Sequence, residues 1–509
     1  MEILKKADAS DRRVFLSALI AGFVAHGFRL TNKFFCEDAF NYLESISVSW
    51  TVSIGRFLLP MVEKARGARE ATWLIGLLSL FYIALAAVLV RRIFDIKDKT
   101  AQCLLAAVMA AVPSVTGTFA FMYTADGYFF GMLMAVAAAY VTLKKDDMKH
   151  AALGGVCLAV SLAFYQAYLS VTIVLFMTVL FLMLLDAEKS VKEILKKSLY
   201  FLACGVTGLL IYFPGMKLSM MLLKIDMINY MGIADSKGFS MERIIRSFKN
   251  SYIEFARYYL VRWKPEFYNI SNVLLFIIIA VLSAVLLFKK KAKDAPLRAG
   301  LICILMLLLP VATHIFFFIS PDVSYLSVIM GYSMCFVYIV PFMLAERFNI
   351  KDKAVKYIRP VLNVFIFLIV FHFAVISNEA YEKMYLANKN TENEINRILA
   401  RMEAMPGYTE DMDVAIFGNT YDIPEYVESA PMMLGVSSGK FLTSESTYIS
   451  AMNWFCATDH RGVGKKKKKK IVASEEFAQM PMWPAEGAVN IIDGVMVVFL
   501  DDTGLDDFR

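Results

Sequence analysis

The sequence predicts an all-α polytopic membrane protein of about eleven spans, closed by a small C-terminal extracytoplasmic α/β domain. Three observations carry this. The 509 residues are 58% hydrophobic and 14% aromatic, with a mean hydropathy of +0.55, against roughly 45–50% apolar residues in a soluble domain. The apolar residues lie in uncharged runs of about twenty, the length at which a helix crosses a bilayer, and only helices and closed barrels satisfy the backbone in lipid. Lysine and arginine, finally, alternate between successive connections, as a chain threaded through a membrane requires.

Taken in order, spans are expected near residues 14–28, 73–90, 101–121, 123–143, 151–165, 168–185, 199–216, 273–288, 299–320, 325–344 and 361–377. The first and fifth are short and would be broken or tilted. The first also resembles a signal-peptide core behind Lys5, Lys6, Arg12 and Arg13, but no small-x-small cleavage site follows, so a retained helix is expected. One set of connections holds the N-terminal segment, "RRIFDIKDK", "KKDDMK", "KSVKEILKK", "KKKAKDAPLR" and "RFNIKDKAVKYIR", each with three to five basic residues. The opposite connections, near Tyr123, Gln166 and Pro321, carry none. The positive-inside rule then places the N-terminus in the cytoplasm and the C-terminal segment outside. The net charge of +7 reports that topology; a nucleic-acid partner would need one clustered basic face, and none is expected.

Three longer segments fall outside: residues 29–72, 217–272 and everything after 378, which divides the chain into a transmembrane domain 1–378 and an extracytoplasmic domain 379–509. "SVSWTVSIGRFLLPMVEKA" has apolar residues near helical spacing, consistent with a helix lying along the interface. "DVAIFGN" and "GVMVVFL" read as strands of the last domain. Five of seven cysteines fall in spans; Cys36 and Cys456 lie outside, with no spacing rule that pairs them. "DMD" at Asp411–Asp413 reads as a turn, and "KKKKKK" at Lys465–Lys470 as a solvated loop of like charge. There is no P-loop, HExxH, CxxC or GxGxxG.

The candidate site gathers at the outer ends of the spans. Glu37 and Asp38 are adjacent carboxylates just after the first apolar run. On a helix they would point about 100° apart, while Asp38, Asn41 and Tyr42 would share a face. Asp126, in "FMYTADGYFF", sits at the outer end of the fourth span, where an ionisable group is costly and usually functional. Tyr165 and Gln166 lie where the fifth and sixth spans meet. Arg56, in "SIGRFLLP", has the forked donor geometry that suits a phosphate. His26 ends the first span and His314 lies within the ninth, where a lone histidine more often bonds a neighbouring helix. Among these, Arg56, His26, Tyr42, Tyr165 and Gln166 are the candidate substrate contacts.

"HGFRLTNKFFCEDAFNYL", "SIGRFLLP", "FMYTADGYFFGMLMAV" and "FYQAYLSVTI", in that order over about residues 10–380, resemble the type II glucosyltransferase family of bacteria and their phages, of the GT-C class. The short first span and the lysine tract depart from the family pattern. The resemblance implies a multi-pass enzyme of the bacterial cell membrane that moves a sugar, glucose by the family name, from a polyprenyl-phosphate donor to a surface glycan. It also implies an essential carboxylate in the first external loop, here Asp38 or Glu37. Outside a cell no nucleotide sugar is present, so a donor must arrive activated in the lipid bilayer. A carboxylate base on the acceptor hydroxyl contributes roughly 10²–10⁴-fold, and a cation on the departing phosphate stabilises its charge. Asp38 is then the expected base, with Glu37 supporting it, Asp126 holding the acceptor or sharing the base role, and Arg56 on the phosphate. No cofactor is fixed by the sequence; a divalent cation, if used, would fall to Glu37 or Asp38. A transporter or flippase of lipid-linked oligosaccharide or solute is the alternative, but it would place charges near the midplane and show internal repeats. No repeat is evident.

Overall fold

The computed structural model describes residues 8–40, 47–67, 70–230, 232, 240–289, 294–323, 325–348, 353–419, 442 and 444–508. Its helices are α1 Ala9–Thr31, α2 Glu37–Phe40, α3 Val48–Ser53, α4 Leu59–Ala65, α5 Thr72–Phe94, α6 Lys99–Ala111, α7 Pro113–Ala120, α8 Met122–Lys144, α9 Met148–Phe164, α10 Leu169–Leu184, α11 Val191–Leu223, α12 Met241–Leu260, α13 Phe267–Lys289, α14 Ala295–Thr313, α15 Phe316–Ile319, α16 Cys335–Ala345, α17 Lys353–Glu403, α18 Glu445–Cys456, α19 Lys465–Val472 and α20 Glu475–Ala478. The strands are β1 Asp413–Phe417, β2 Arg461–Gly462, β3 Val489–Ile492 and β4 Val495–Phe499. The described residues fall into two compact units, the first holding 8–31 and 47–378 and the second 32–40 and 379–508.

Among the described residues nine helices are long and apolar enough to cross a membrane, and two shorter apolar ones, Met148–Phe164 and Tyr332–Ala345, account for the remaining expected spans. The chain is therefore an all-α polytopic membrane protein with a small C-terminal α/β part. The first span is not short: α1 has 23 residues, because its polar ends, from Ser10 to Arg13 and from His26 to Thr31, stay helical. The fifth is short, at 17 residues, with Asp147 capping its first turn by accepting from the His150 amide. Pro113 interrupts the third span, which runs as α6 and α7.

Helix α9 lies against both α8 and α11. Glycine makes that close approach feasible: a Cβ at Gly154 would meet the Ala138 carbonyl of α8 at 2.7 Å, and one at Gly155 the Cys204 carbonyl of α11 at 2.9 Å. Small residues at helix contacts let backbones approach where lipid supplies no hydrophobic drive. The stretch expected as one interfacial helix is instead two short helices, α3 and α4, much of it buried, with Thr51–Gly55, Leu59 and Pro60 inside the unit. The turn at Gly55 and Pro60 divide it.

The second unit contains a four-stranded sheet of order β2-β1-β4-β3, with β1 parallel to β2 and β4 and a β3–β4 hairpin across the two-residue Asp493–Gly494 connection. Both expected strand runs are strands, and Asp411 sits in a turn before β1. Its core is built of Ala415, Phe417, Val495, Val497, Phe477 and Ile471. The lysine tract is helical rather than a loop. Ile471 anchors α19 in that core, Lys468 donates to Glu445, and Lys470 donates to Asp493 at 2.6 Å. Cys36 and Cys456 are not joined in a disulfide.

Asp501 ties β1 to the chain beyond β4: its Oδ1 accepts the Asn419 and Thr503 amides, each at 2.9 Å. Burial alone would raise its pKa, but these bonds hold it below the usual carboxylate range. A depressed folded pKa means that the contribution is present at neutral pH and lost as pH falls through that value. Asp501→Asn should destabilise the protein by on the order of 1 kcal/mol near pH 7. In thermal unfolding the gap to the native chain should narrow toward pH 3; a gap that widens there would contradict the assignment.

Candidate functional site

The site in the first unit is organised by residues 47–67. Ser47 caps α3 by accepting the Trp50 amide at 3.2 Å. The helix ends at Ser53, and the turn after it passes through Gly55, whose φ of +85° lies in the left-handed region open to glycine. A Cβ there would lie 2.4 Å from the Tyr212 hydroxyl and 2.7 Å from Gln166 Nε2. Those two groups pin the turn: Gln166 Nε2 donates to the Ile54 carbonyl at 2.7 Å, and the Tyr212 hydroxyl donates to the Gly55 carbonyl at 3.2 Å. The Leu58 amide donates to the Ala163 carbonyl at the end of α9. From the other side, the Ile228 amide reaches the Ser53 carbonyl and Tyr230 packs edge-on against Trp50.

This turn aims two arginines at the start of α8. Arg56 Nη1 donates to the Tyr128 hydroxyl at 2.6 Å, and its guanidinium lies over the Tyr165 ring at 4.8 Å. The Tyr128 and Tyr165 rings are stacked at 4.4 Å with 8° between planes. Burial opposes the Arg56 charge, but the surrounding phenol oxygens of Tyr128, Tyr165, Tyr230 and Tyr123 outweigh it and raise its pKa; the site carries a permanent cation. Arg56 Nε and the Tyr165 hydroxyl are buried without a hydrogen-bond partner among the described residues. Just past α4, Arg66 Nε lies 2.9 Å from Asp126 Oδ2, both side chains nearly fully buried, and Arg66 Nη2 donates to the Tyr123 carbonyl at 2.5 Å. The Arg66–Asp126 contact is a buried charge pair, and Asp126 Oδ2 keeps a lone pair for a further donor. Asp126 Oδ1 accepts the Gly127 amide at 2.9 Å.

Four of the expected residues, Arg56, Asp126, Tyr165 and Gln166, thus meet around one turn. His26 and His314 lie elsewhere in the first unit. His26 is fully buried, its Nε2 2.8 Å from the Ala110 carbonyl and its ring edge-on to Phe119. His314 is likewise buried, 3.1 Å from the Pro310 carbonyl. Glu37 and Asp38 begin α2 in the second unit, where Asp38 is exposed and Cys36 and Ala39 are buried. That helix is anchored by a reciprocal pair: the Phe35 amide donates to Asn388 Oδ1, and Asn388 Nδ2 donates to the Phe35 carbonyl, both at 2.8 Å. Tyr42 lies outside the described residues. Among the described residues no three His, Cys, Asp or Glu side chains gather as metal ligands.

Sequence reasoning missed Arg66, Tyr128, Tyr212 and Asn388. Arg66 sits in a charged loop, "EKARGARE", that reads as plain solvent-exposed sequence. Tyr128, two residues from Asp126, was the nearest available signal. It also missed a cavity of about 380 Å³ on the far side of Gln166. Ile54, Gln166 and Tyr212 form one end of it, Leu209, Phe213 and Met216 of α11 a wall, and Arg243 of α12 also lines it.

Arginine groups and a carboxylate thus meet at the ends of apolar helices, beside a cavity lined mostly by apolar residues. A family model described as glucosyl transferase GtrII matches residues 27–338, more than half of the chain, and the protein belongs to that family. With its apolar helices, that makes it a membrane glycosyltransferase. No curated protein matches the chain.

The Arg66–Asp126 pair generates a stability prediction. Removing one partner strands a buried charge, at a cost of about 3–5 kcal/mol, whereas removing both does not. Arg66→Gln and Asp126→Asn should each lower the thermal midpoint of the purified protein in detergent more than the double variant does. Additive losses in the double variant would show that the two charges do not depend on each other.

Proposed function

We propose that the protein transfers a sugar, glucose as the family description suggests, from a polyprenyl-phosphate donor to a surface glycan on the extracytoplasmic face of a bacterial cell membrane. The observation that carries this reading is the cluster of Arg56, Tyr165, Gln166 and the Arg66–Asp126 pair around one buried turn. A buried arginine with a free Nε beside an unpartnered phenol is suited to an anionic oxygen. A carboxylate with an open acceptor lone pair is suited to a sugar hydroxyl.

In this reading Asp38 is the general base that takes the acceptor's proton as its oxygen attacks the anomeric carbon. The bond from that carbon to the lipid phosphate breaks, and the phosphate leaves with the electron pair. Arg56 meets the negative charge that develops there, Asp126 holds the acceptor, and Glu37 supports Asp38 or a cation. The arginine and lysine pattern of the connections supports an N-terminus in the cytoplasm and the second unit outside.

Asp38→Asn keeps the shape of the side chain but cannot take a proton. Where chemistry limits turnover, transfer should fall by roughly 10²-fold or more with donor binding little changed, since a base acts mainly in the transition state. Arg56→Ala should instead weaken both donor binding and transfer. Sugar transfer and donor binding on purified, monodisperse variants distinguish the two. Near-normal transfer by Asp38→Asn would exclude Asp38 as the base.

Orientation is tested separately with Glu475→Cys. In intact cells this thiol should react with a membrane-impermeant maleimide. Labelling only after permeabilisation would reverse the topology.

A further inference from the structure

The six consecutive lysines of α19 have no part in the transfer chemistry above, and they break the rules of helix formation. Residues three and four apart on a helix are neighbours, so Lys465–Lys470 set like charges side by side, which destabilises a helix. They also begin at its first residue, where the helix dipole disfavours cations. The helix is held from one side instead. Ile471 and Val472 pack on the core of the second unit, and Lys468, its side chain only 12% exposed, donates to Glu445. A local rule broken in this way points to function.

The remaining lysines face outward. Lys470 meets Asp493 at 2.6 Å yet stays 73% exposed. Lys465, Lys466, Lys467 and Lys469 are exposed and have no ion pair among the described residues. At about 100° per residue, these five side chains spread over about 200° of the helix surface, a ridge rather than one flat face. Gly464, Lys466, Lys467, Lys470 and Asp493 border an open hollow beside it. The sequence around the ridge is acidic: residues 379–509 hold 21 acidic and 13 basic side chains, and six of the 13 are these lysines. A polyanion is therefore repelled by most of this segment and attracted at the ridge.

The kind of polyanion follows from what accompanies the lysines. A helix that lies on a bilayer needs an apolar face, and among residues 457–508 Met482 is the one exposed large hydrophobic. A single strand of nucleic acid is gripped by aromatic side chains that stack its bases, and none is exposed over those residues. Lysine is a compact charge on a flexible stem, without the planar fork by which arginine fits one phosphate or carboxylate. A run of lysines thus reads charge density along a chain. A flexible polymer can curve round a convex ridge, whereas a flat headgroup surface meets only one side of it.

We infer that α19 docks a polyanionic glycan chain, with Lys465, Lys466, Lys467, Lys469 and Lys470 along the polymer and Asp493 opposing it. This rests on the surface-glycan acceptor of the proposed function and gives that acceptor its charge.

The test is binding of polygalacturonate, a linear carboxylate glycan, to the full-length protein in phosphatidylcholine nanodiscs. Dextran is the uncharged arm, and vesicles of phosphatidylglycerol and phosphatidylcholine in equal parts are the membrane arm. Native protein should bind polygalacturonate, with affinity falling about tenfold or more between about 50 and 200 mM salt. Dextran should not bind measurably, and the vesicles should bind at least about tenfold more weakly per charge. Lys465→Gln, Lys466→Gln and Lys467→Gln together should weaken polygalacturonate binding about tenfold or more, whereas Arg at the same three positions should retain it. Asp493→Asn should tighten it about two- to threefold; asparagine tolerates the left-handed backbone at that position. The Gln triple variant should keep or raise the thermal midpoint, because it relieves like-charge repulsion. A lower midpoint would mark the lysines as structural and overturn the assignment. Equal binding of dextran, preference for the vesicles, or polygalacturonate binding indifferent to the lysines would each do the same. Binding of the expected pattern without sugar transfer from any prenyl-linked donor would sink the transferase reading and leave the docking ridge standing. Transfer with binding indifferent to the lysines would do the reverse.

Discussion

The hydrogen bond from Gln166 to the Ile54 carbonyl, set inside a left-handed turn at Gly55, is the contact on which the site in the first unit depends. It does three things at once. It satisfies the carbonyl of a buried residue, a group that would otherwise cost several kcal/mol. It fixes the junction of the fifth and sixth spans to an otherwise irregular segment. It also sets the direction in which the chain leaves the turn, which aims Arg56 at Tyr128 and Tyr165 and carries Arg66 to Asp126. The same Gln166 side chain forms one end of the neighbouring cavity. One amide thus connects the permanent cation to the apolar chamber beside it.

An irregular segment can be buried among membrane helices only if its polar groups are met inside the protein. Here the partners are Gln166, Tyr212, Ala163 and the returning segment at Ile228. That arrangement lets an irregular segment lie buried among apolar helices. It also explains the choice of arginine: its planar fork can stack on a phenol ring with one edge and keep donors for an anion with another. Tyr128 and Tyr165 serve as the platform.

Much of the fold was legible because lipid leaves only one way to satisfy a backbone. Among the described residues, eleven apolar runs correspond to nine full-length helices and two short ones, and the fifth was short as expected. Boundaries were less legible. The first helix extends through charged and polar residues at both ends, and α17 continues from the last span into the polar stretch that follows it, because hydropathy marks the apolar part of a helix and not its hydrogen bonding. Residues 47–67 were misjudged for a related reason. Their apolar spacing suits a helix on a surface, but the glycine at 55 and the proline at 60 break it, and its burial depends on Gln166 and Tyr212, more than a hundred residues away. Arg56, Asp126, Tyr165 and Gln166 could be picked out one by one as polar groups among apolar ones. Arg66, Tyr128 and Arg243 could not, because an arginine in a charged loop or a tyrosine in an aromatic run carries no local sign of its partner.

The proposed reaction requires that this membrane glycosyltransferase take its sugar from a lipid-linked donor. Transfer of radiolabelled glucose by the purified protein in lipid, supplied in parallel with a polyprenyl-phosphate glucose and with a glucose nucleotide, tests that directly. Label should pass to surface glycan from the prenyl donor and not from the nucleotide. Transfer from the nucleotide alone, or from neither donor, would contradict it.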